Sequence, residues 1–414
     1  MIADYNITYV ILNNDANGVG DTMIRSGSSV GAFPLLALLP VSDRHHAWSA
    51  LLLALEGTAD GDFLVALFGE YRLGQVLGPL TCIVRQDDPA AIDDDQAKVL
   101  PAAQIVLLFP LKRAINPASR TEFARLSSHG FRLMADGVPE DSQTLDIAIG
   151  ALATHGILPR SSALARLPGP HLATGVDSPS RFVQFQRAGC AWFAGDYPLH
   201  PDHGVSQQEL NSRTLLLKLL GMVASDTPTD EIEALLKQGT SLSYHLLKLV
   251  NSVNFALKTK ITSFGYAITL LGRRQLRRWL QLLLYVQDKG GGTMSPLLAR
   301  AALRGSLMEA LCQKIGGSKD DQDHAFMVGI FSLLDVLFGM PLAQIVTPLR
   351  LADEVEEALL AHGGWLGGLL AIVEQQATLP GLAEGLAASM MTPSSYCQAL
   401  VQACEWSIQV GRGT

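Results

Sequence analysis

Halfway along this chain the hydrophobic residues change their period. Up to about residue 200 they come in short, nearly unbroken runs: "ITYVILN" (Ile7–Asn13), "DFLVALF" (Asp62–Phe68), "QIVLLFP" (Gln104–Pro110), "FRLMADG" (Phe131–Gly137), "LDIAIG" (Leu145–Gly150) and "HLATGV" (His171–Val176). Runs of about five to seven residues have the length of strands. Apolar content on both faces is what parallel strands covered on both sides require. Beyond about Val205 such runs stop and helical stripes replace them. In "LSYHLLKLVNSV", Leu242, Leu246, Leu249, Val250 and Val253 fall on one face of a helix. A chain built this way folds as α/β first and all-α second.

Helix punctuation between the early runs supports βα units. In "DSPSRFVQFQRAG", Ser178 is the expected cap, Pro179 the first helical residue and Gly189 the left-handed stop. "NPASRTEFARLSSHG" repeats the design with Asn116, Pro117 and Gly130. Strand and helix alternating over about 200 residues point to a short (β/α) barrel. The polar segment "LHPDHGVSQQE" (Leu199–Glu209) is the expected join. This gives domains 1–204 and 205–414, the second expected to fold alone. "KGGGTMSP" (Lys289–Pro296) lacks phosphate-loop spacing and reads as a connector.

Bulk properties narrow the function classes. With 48% hydrophobic and 17% charged residues, the chain is a packed globular protein. Its net charge of -8 argues against binding nucleic acid through bulk electrostatics. Cys82, Cys190, Cys312, Cys397 and Cys404 are scattered and read as buried reduced thiols, not a zinc site. No signal peptide and no membrane span are expected. The chain is therefore expected to be soluble and cytoplasmic.

The stretch "LSYHLLKLVNSVNFALKTKITSFGYAITLLGRRQLRRWL", with "AFMVGIFSLLDVLFGMPL" after it, resembles the HDOD domain, a metal-free relative of the HD phosphohydrolases in bacterial signalling proteins. Where an HD enzyme has its His-Asp metal pair, this sequence has Ser332 and Leu333, with Asp335 nearby and no histidine beside it. The resemblance implies a binding domain.

The first half resembles the EAL cyclic-di-GMP phosphodiesterase, a (β/α) barrel often fused to HDOD. On that resemblance "GDTMIRSG" places Asp21 at the signature glutamate, "DFLVALF" places Ala66 at a metal-binding Asn, and "QIVLLF" places Leu108 at a metal-binding Glu. "FRLMADG" keeps Asp136 but has Gly137 for the second Asp. Asp177 and Ala194 stand for a Glu and a Gln, and "LDIAIG" offers no lysine. EAL hydrolysis uses two divalent cations about 3.5–4 Å apart. The erosion implies an EAL-like barrel that is degenerate, not an enzyme, without metal or cofactor, and not expected to bind cyclic di-GMP. The expected role is protein–protein interaction in cyclic-di-GMP-linked signalling, such as motility or biofilm formation. A residual phosphodiesterase or cyclic-di-GMP effector is the alternative, and a nucleic-acid-associated regulator is a third reading. The partners would be signalling proteins, and a homo-oligomer is left open.

Other candidates have plainer readings. His45-His46 opens an apparent helical run and reads as a solvated pair. "DDPAAIDDD" (Asp87–Asp95) lacks the glycine and final Glu of a calcium loop. Arg273, Arg274, Arg277 and Arg278 share one helix face, either solvated or a docking patch for an acidic partner. Trp279 among them is expected to pack inward.

Overall fold

The computed structural model describes residues 33–57, 59–140, 142–159, 164–200, 207–224, 227–236, 264–285, 296–375 and 379–413. "ITYVILN", Asp21 with its "GDTMIRSG", most of "KGGGTMSP" and the segment Leu242–Ser263 lie outside them.

The first half closes into a barrel of strands β1 (Leu36–Ser42), β2 (Trp48–Leu55), β3 (Thr81–Arg85), β4 (Ile105–Pro110), β5 (Arg132–Asp136), β6 (Ile149–His155), β7 (Leu172–Thr174) and β8 (Trp192–Phe193). β1 runs antiparallel to β2 and β8, and the other neighbouring pairs are parallel. Each strand splits its apolar residues between two cores. In β4, Ile105, Leu107 and Phe109 face the outer helices, while Val106 and Leu108 join Ile83, Met134, Ala153, Trp192 and Ala194 inside the barrel. Apolar demand on both faces is why these strands read as unbroken runs.

Three expectations change here. "DFLVALF" is not a strand: α1 (Gly61–Val65) starts at Asp60, whose side chain accepts from Phe63 N–H, and a π turn follows over Ala66–Glu70. A seven-residue apolar run carries no period that separates the two states, and the cap decides. "LDIAIG" is loop for its first four residues, because β6 begins only at Ile149. Asp146 there is buried in a loop, accepting from Ala148 N–H and pairing with Arg120 at 3.5 Å. His45-His46 lies in the β1–β2 hairpin turn. Asp43 accepts from the backbone N–H groups of His45 and Ala47 there, and His46 takes φ +64°. Four strands, β1, β2, β3 and β8, are additional to the runs read as strands.

The remaining barrel helices are α2 (Leu73–Leu77), α3 (Asp94–Val99), α4 (Leu111–Ala114), α5 (Arg120–Ser128) and α6 (Pro179–Ala188). α6 has its Pro in the first turn, Ser178 extended before it and Gly189 at φ +112° after it. The Ser178 hydroxyl donates to Asp177 and does not cap the helix.

The second half contains α7 (Gln207–Ala224), α8 (Thr229–Leu236), α9 (Phe264–Leu283, kinked at Gly272), α10 (Pro296–Lys314), α11 (Lys319–Phe331), α12 (Leu334–Phe338), α13 (Leu342–Val346), α14 (Asp353–Ala361), α15 (Gly364–Glu374), α16 (Leu379–Ala388) and α17 (Pro393–Gly413). α10 is the central helix, packed by α11 and α17. It meets α11 backbone to backbone, since a Cβ on Gly329 would lie 2.6 Å from the Arg304 carbonyl oxygen.

The two halves share one hydrophobic core. A hairpin turn joins β1 to β2 and leaves no crossover helix to cover their outer faces, and α17 packs on β1, β2 and α2. Tyr71 Oη lies 2.7 Å from Ser394 Oγ, and Arg300 of α10 pairs with Asp196 at 2.9 Å. Among the described residues no helix is long and apolar enough to cross a membrane.

Candidate functional site at the barrel mouth

In parallel barrels chemistry sits at the C-terminal ends of the strands. Here that end carries Arg85, the last residue of β3, with Gln86 after it, Asp136, the last of β5, with Gly137 after it, His155 at the end of β6 and Thr174 at the end of β7. Arg85 Nη1 lies 3.0 Å from Asp136 Oδ2, and both side chains are partly exposed. His155 Nδ1 lies 3.0 Å from Thr174 Oγ1. Gln86 is buried. Its Nε2 donates to the Ala59 carbonyl, and its Oε1 has no hydrogen-bond partner.

Of the sequence-derived positions, the fold brings Leu108 and Ala194 together in the apolar interior, next to the strand that ends in Asp136. Asp177 is exposed before α6, receiving the Ser178 hydroxyl. Ala66 is not at the mouth strands, because it sits where α1 passes into its π turn. Gly137 has φ +130°, and a Cβ there would lie 3.1 Å from that of Leu111. Arg85, Gln86, His155 and Thr174 were missed. The signal for the first two was "PLTCIVRQ", an apolar run set off by Gly-Pro and Asp-Asp-Pro.

The described residues of the mouth do not by themselves supply the full ligand set of a two-cation centre. Its one partly buried carboxylate, Asp136, is engaged by a guanidinium, and Leu108 offers only methyl groups. Among the described residues no three His, Cys, Asp or Glu side chains converge to hold an ion.

In the helical half, Ser332 caps α11, and its hydroxyl donates to the Gly329 carbonyl while accepting from Arg304 Nη1 at 3.0 Å. Leu333 is buried beside it. Arg304 also pairs with Glu374 at 3.4 Å, and Glu374 in turn pairs with His362 at 2.8 Å. Burial pushes the Arg304 guanidinium below its ordinary value. A fixed cation thus stands where the resemblance would put a metal pair.

The arginine face of α9 divides. Arg274 reaches the Asp323 carboxylate at 2.7 Å. Arg278 forks onto Glu309 through both terminal nitrogens, with its guanidinium carbon 4.0 Å from the Phe326 ring centre. Trp279 packs inward at 1% exposure. Arg277 lines a cavity beside Gln281. The Arg273 side chain lies outside the described residues. Arg274 and Arg278 tie helices of one chain together.

The fold is thus a closed α/β barrel followed by a helical domain. Residues 214–344 match the HDOD domain family, and an EAL-like barrel followed by an HDOD domain is the architecture of this chain. Among known proteins it is similar to cyclic di-GMP phosphodiesterase CdgJ of Vibrio cholerae. The two are 28% identical over 247 residues, which take in 58% of this chain and 56% of that one. It is also similar to the uncharacterized protein YuxH of Bacillus subtilis, 30% identical over 195 residues, 46% of this chain and 47% of that one. The chain thus spans about half the length of these curated relatives. Its barrel overlays the EAL domain of Mycobacterium smegmatis DcpA with a TM-score of 0.30 at 15% identity, covering 39% of this chain and 90% of that one.

The expectation that the chain is not an enzyme is corrected by the first relative, which is named a phosphodiesterase. The name of that relative also runs against the expectation that cyclic di-GMP is an unlikely ligand. The physical reason is that the ligand count leaned in part on positions that do not bear on the described mouth. Ala66 belongs to a helical segment, and only Ile149 and Gly150 of "LDIAIG" lie in a strand. Asp21 is outside the described residues.

Proposed function

We propose that the chain works in cyclic-di-GMP-linked signalling as a cyclic-di-GMP phosphodiesterase of residual rate, with the dinucleotide at the mouth of the barrel. The observation that carries this reading is the relatedness over 247 residues to a protein named for that activity. The geometry supports binding: Arg85, beside Asp136 and Asp87, places a partly exposed cation at the rim, where a phosphodiester can meet it. The hydroxyl of Thr174 and the ring of His155 stand on the same rim. The residual rate follows from the donor set, since Leu108 and Gly137 contribute no oxygen from their side chains. The chain's own residues bind and orient the ligand, and the HDOD half, sharing the barrel's core through α17, is placed to sense its state.

The test is incubation of the full chain with cyclic di-GMP and manganese or magnesium, followed by chromatography of the products and calorimetric titration. Slow conversion to the linear dinucleotide is expected, and Arg85→Ala should weaken binding about tenfold, the worth of one charge-assisted pair. Binding without turnover would replace hydrolysis by an effector role, and neither binding nor turnover would overturn the reading.

A further inference from the structure

We propose that the helical half holds a second binding site, for a small amphipathic anion, in a cavity of about 220 Å³ bounded by α7, α9, α11 and the segment leading into α14. Its walls combine the apolar side chains of Met327 and Phe331 with Arg277, Gln281, His324 and Arg350. No Asp or Glu lines it among the described residues. His324 is engaged from outside by Glu354, at 2.6 Å.

Two polar atoms in that wall have no partner. Gln281 is 2% exposed, and its Oε1 accepts nothing; the buried Nε of Arg277 donates to nothing. They lie one helical turn apart on α9 and therefore address the same space. Burying an acceptor and a donor unsatisfied is costly, and native proteins rarely leave such groups without a water or ligand. Arg274 on the same helix differs, because its Nε donates to Asp323, while Arg278 directs its two terminal nitrogens to Glu309 and away from the cavity. At the rim Arg350 adopts the left-handed conformation at φ +50°, turning the chain across the opening. Non-glycine residues held in that region gather at ligand sites.

The chemistry asked of a ligand follows. An anionic group, carboxylate or phosphate monoester, meets Arg277 and Arg350. An N–H or O–H donor meets Gln281 Oε1, and a flat apolar body fits between Met327 and Phe331. The volume is below the roughly 300–1,000 Å³ usual for drug-sized ligands, so a cyclic dinucleotide does not fit, and this ligand is distinct from that of the barrel.

The probes are 4-hydroxybenzoate and 4-hydroxyphenyl phosphate, with benzoate and phenol as controls lacking the donor and the charge. They are titrated into the full chain up to about 10 mM, a range that suits fragment-sized ligands. A saturable rise in melting temperature is expected with one or both hydroxylated anions, and the stronger of the two identifies the anionic group. Arg277→Met should weaken it about tenfold or more. Gln281→Leu should raise the melting temperature of the free protein, by removing the orphan acceptor, and abolish the preference for hydroxylated over plain benzoate. A flat response to both hydroxylated anions, an equal response in Arg277→Met, or a Gln281→Leu variant with lower stability and unchanged preference would overturn the proposal.

Discussion

At Gly137 one residue decides what a position can become. Its φ of +130° suits glycine alone, and any side chain there presses on Leu111. Placing an Asp there would restore a carboxylate on paper and strain the turn that presents it. His171 shows the same control over a proton. Its Nδ1 accepts from Leu152 N–H at 3.1 Å and its Nε2 faces the Leu164 carbonyl at 3.0 Å, which requires the neutral ring. Burial holds its pKa below the ordinary value of 6.5. The unfolded chain therefore takes up the proton first. The stability that depends on the neutral ring is complete above about pH 6.5 and is lost as pH falls through the folded value, by up to about 1.4 kcal/mol per pH unit. His46, also held low by burial, adds in the same direction. Melting temperature should drop between pH 7 and pH 5, and His171→Gln should flatten that slope. An identical slope in the variant would remove His171 from the account. Arg278, forked onto Glu309 and stacked on Phe326, carries a further lesson: reversing its charge perturbs folding, so it cannot serve as a clean probe of partner binding.

Among elements, the strands "QIVLLFP" and "FRLMADG" were legible because each apolar run is followed by a turn or a helix cap. "DFLVALF" was not, since its seven apolar-rich residues suit a buried strand or a short helix alike and Asp60 settles the matter from outside the run. The strand β2, "WSALLLAL", lay behind the two histidines of the hairpin turn and was lost with them. The crossing of α10 and α11 was also invisible, because it rests on glycines far apart in sequence. A methyl on Gly329 would meet the carbonyl of Arg304 and the Cα of Gly305, and backbone cannot move aside as a side chain can. Gly329→Ala should therefore cost about 1–3 kcal/mol. Gly368, exposed within α15 with nothing within 4 Å of its added Cβ, is the control. Gly368→Ala should gain about 0.5–1 kcal/mol. Denaturant melts of the two variants check this, and equal effects would mean that the helices do not cross through their glycines.

For the whole molecule, the join near residue 205 is a change of architecture and not a break in the core. The outer faces of β1 and β2, with Leu36, Leu38, Leu51 and Leu53, are covered by the last helix of the chain. Cys82, in the neighbouring strand, and Cys397, in that helix, are buried, and burial pushes both thiols up to about 12, so they remain inert. Fragments 1–204 and 205–414 should each expose apolar surface when separated. We expect them to self-associate when alone and to bind one another when mixed, and the full chain to melt in one transition. Sedimentation and calorimetry decide it. Two monomeric fragments with no affinity and independent melts would restore fully separable domains.

The change of hydrophobic period, the apolar runs of the inner strands and the Pro and Gly marks around α6 are local, so the sequence alone determined an α/β half followed by an all-α half. The HDOD resemblance rests on spaced local residues and was legible for the same reason. What meets across the chain was not legible. Arg85 faces Asp136 only because β3 and β5 flank the same strand, Arg304 reaches Ser332 only because two helices touch at their glycines, and the Gln281 Oε1 is orphaned only because four segments leave a gap around it. Such pairings follow from strand register and helix contact, which no period of a single segment encodes, and the tertiary structure alone decided them.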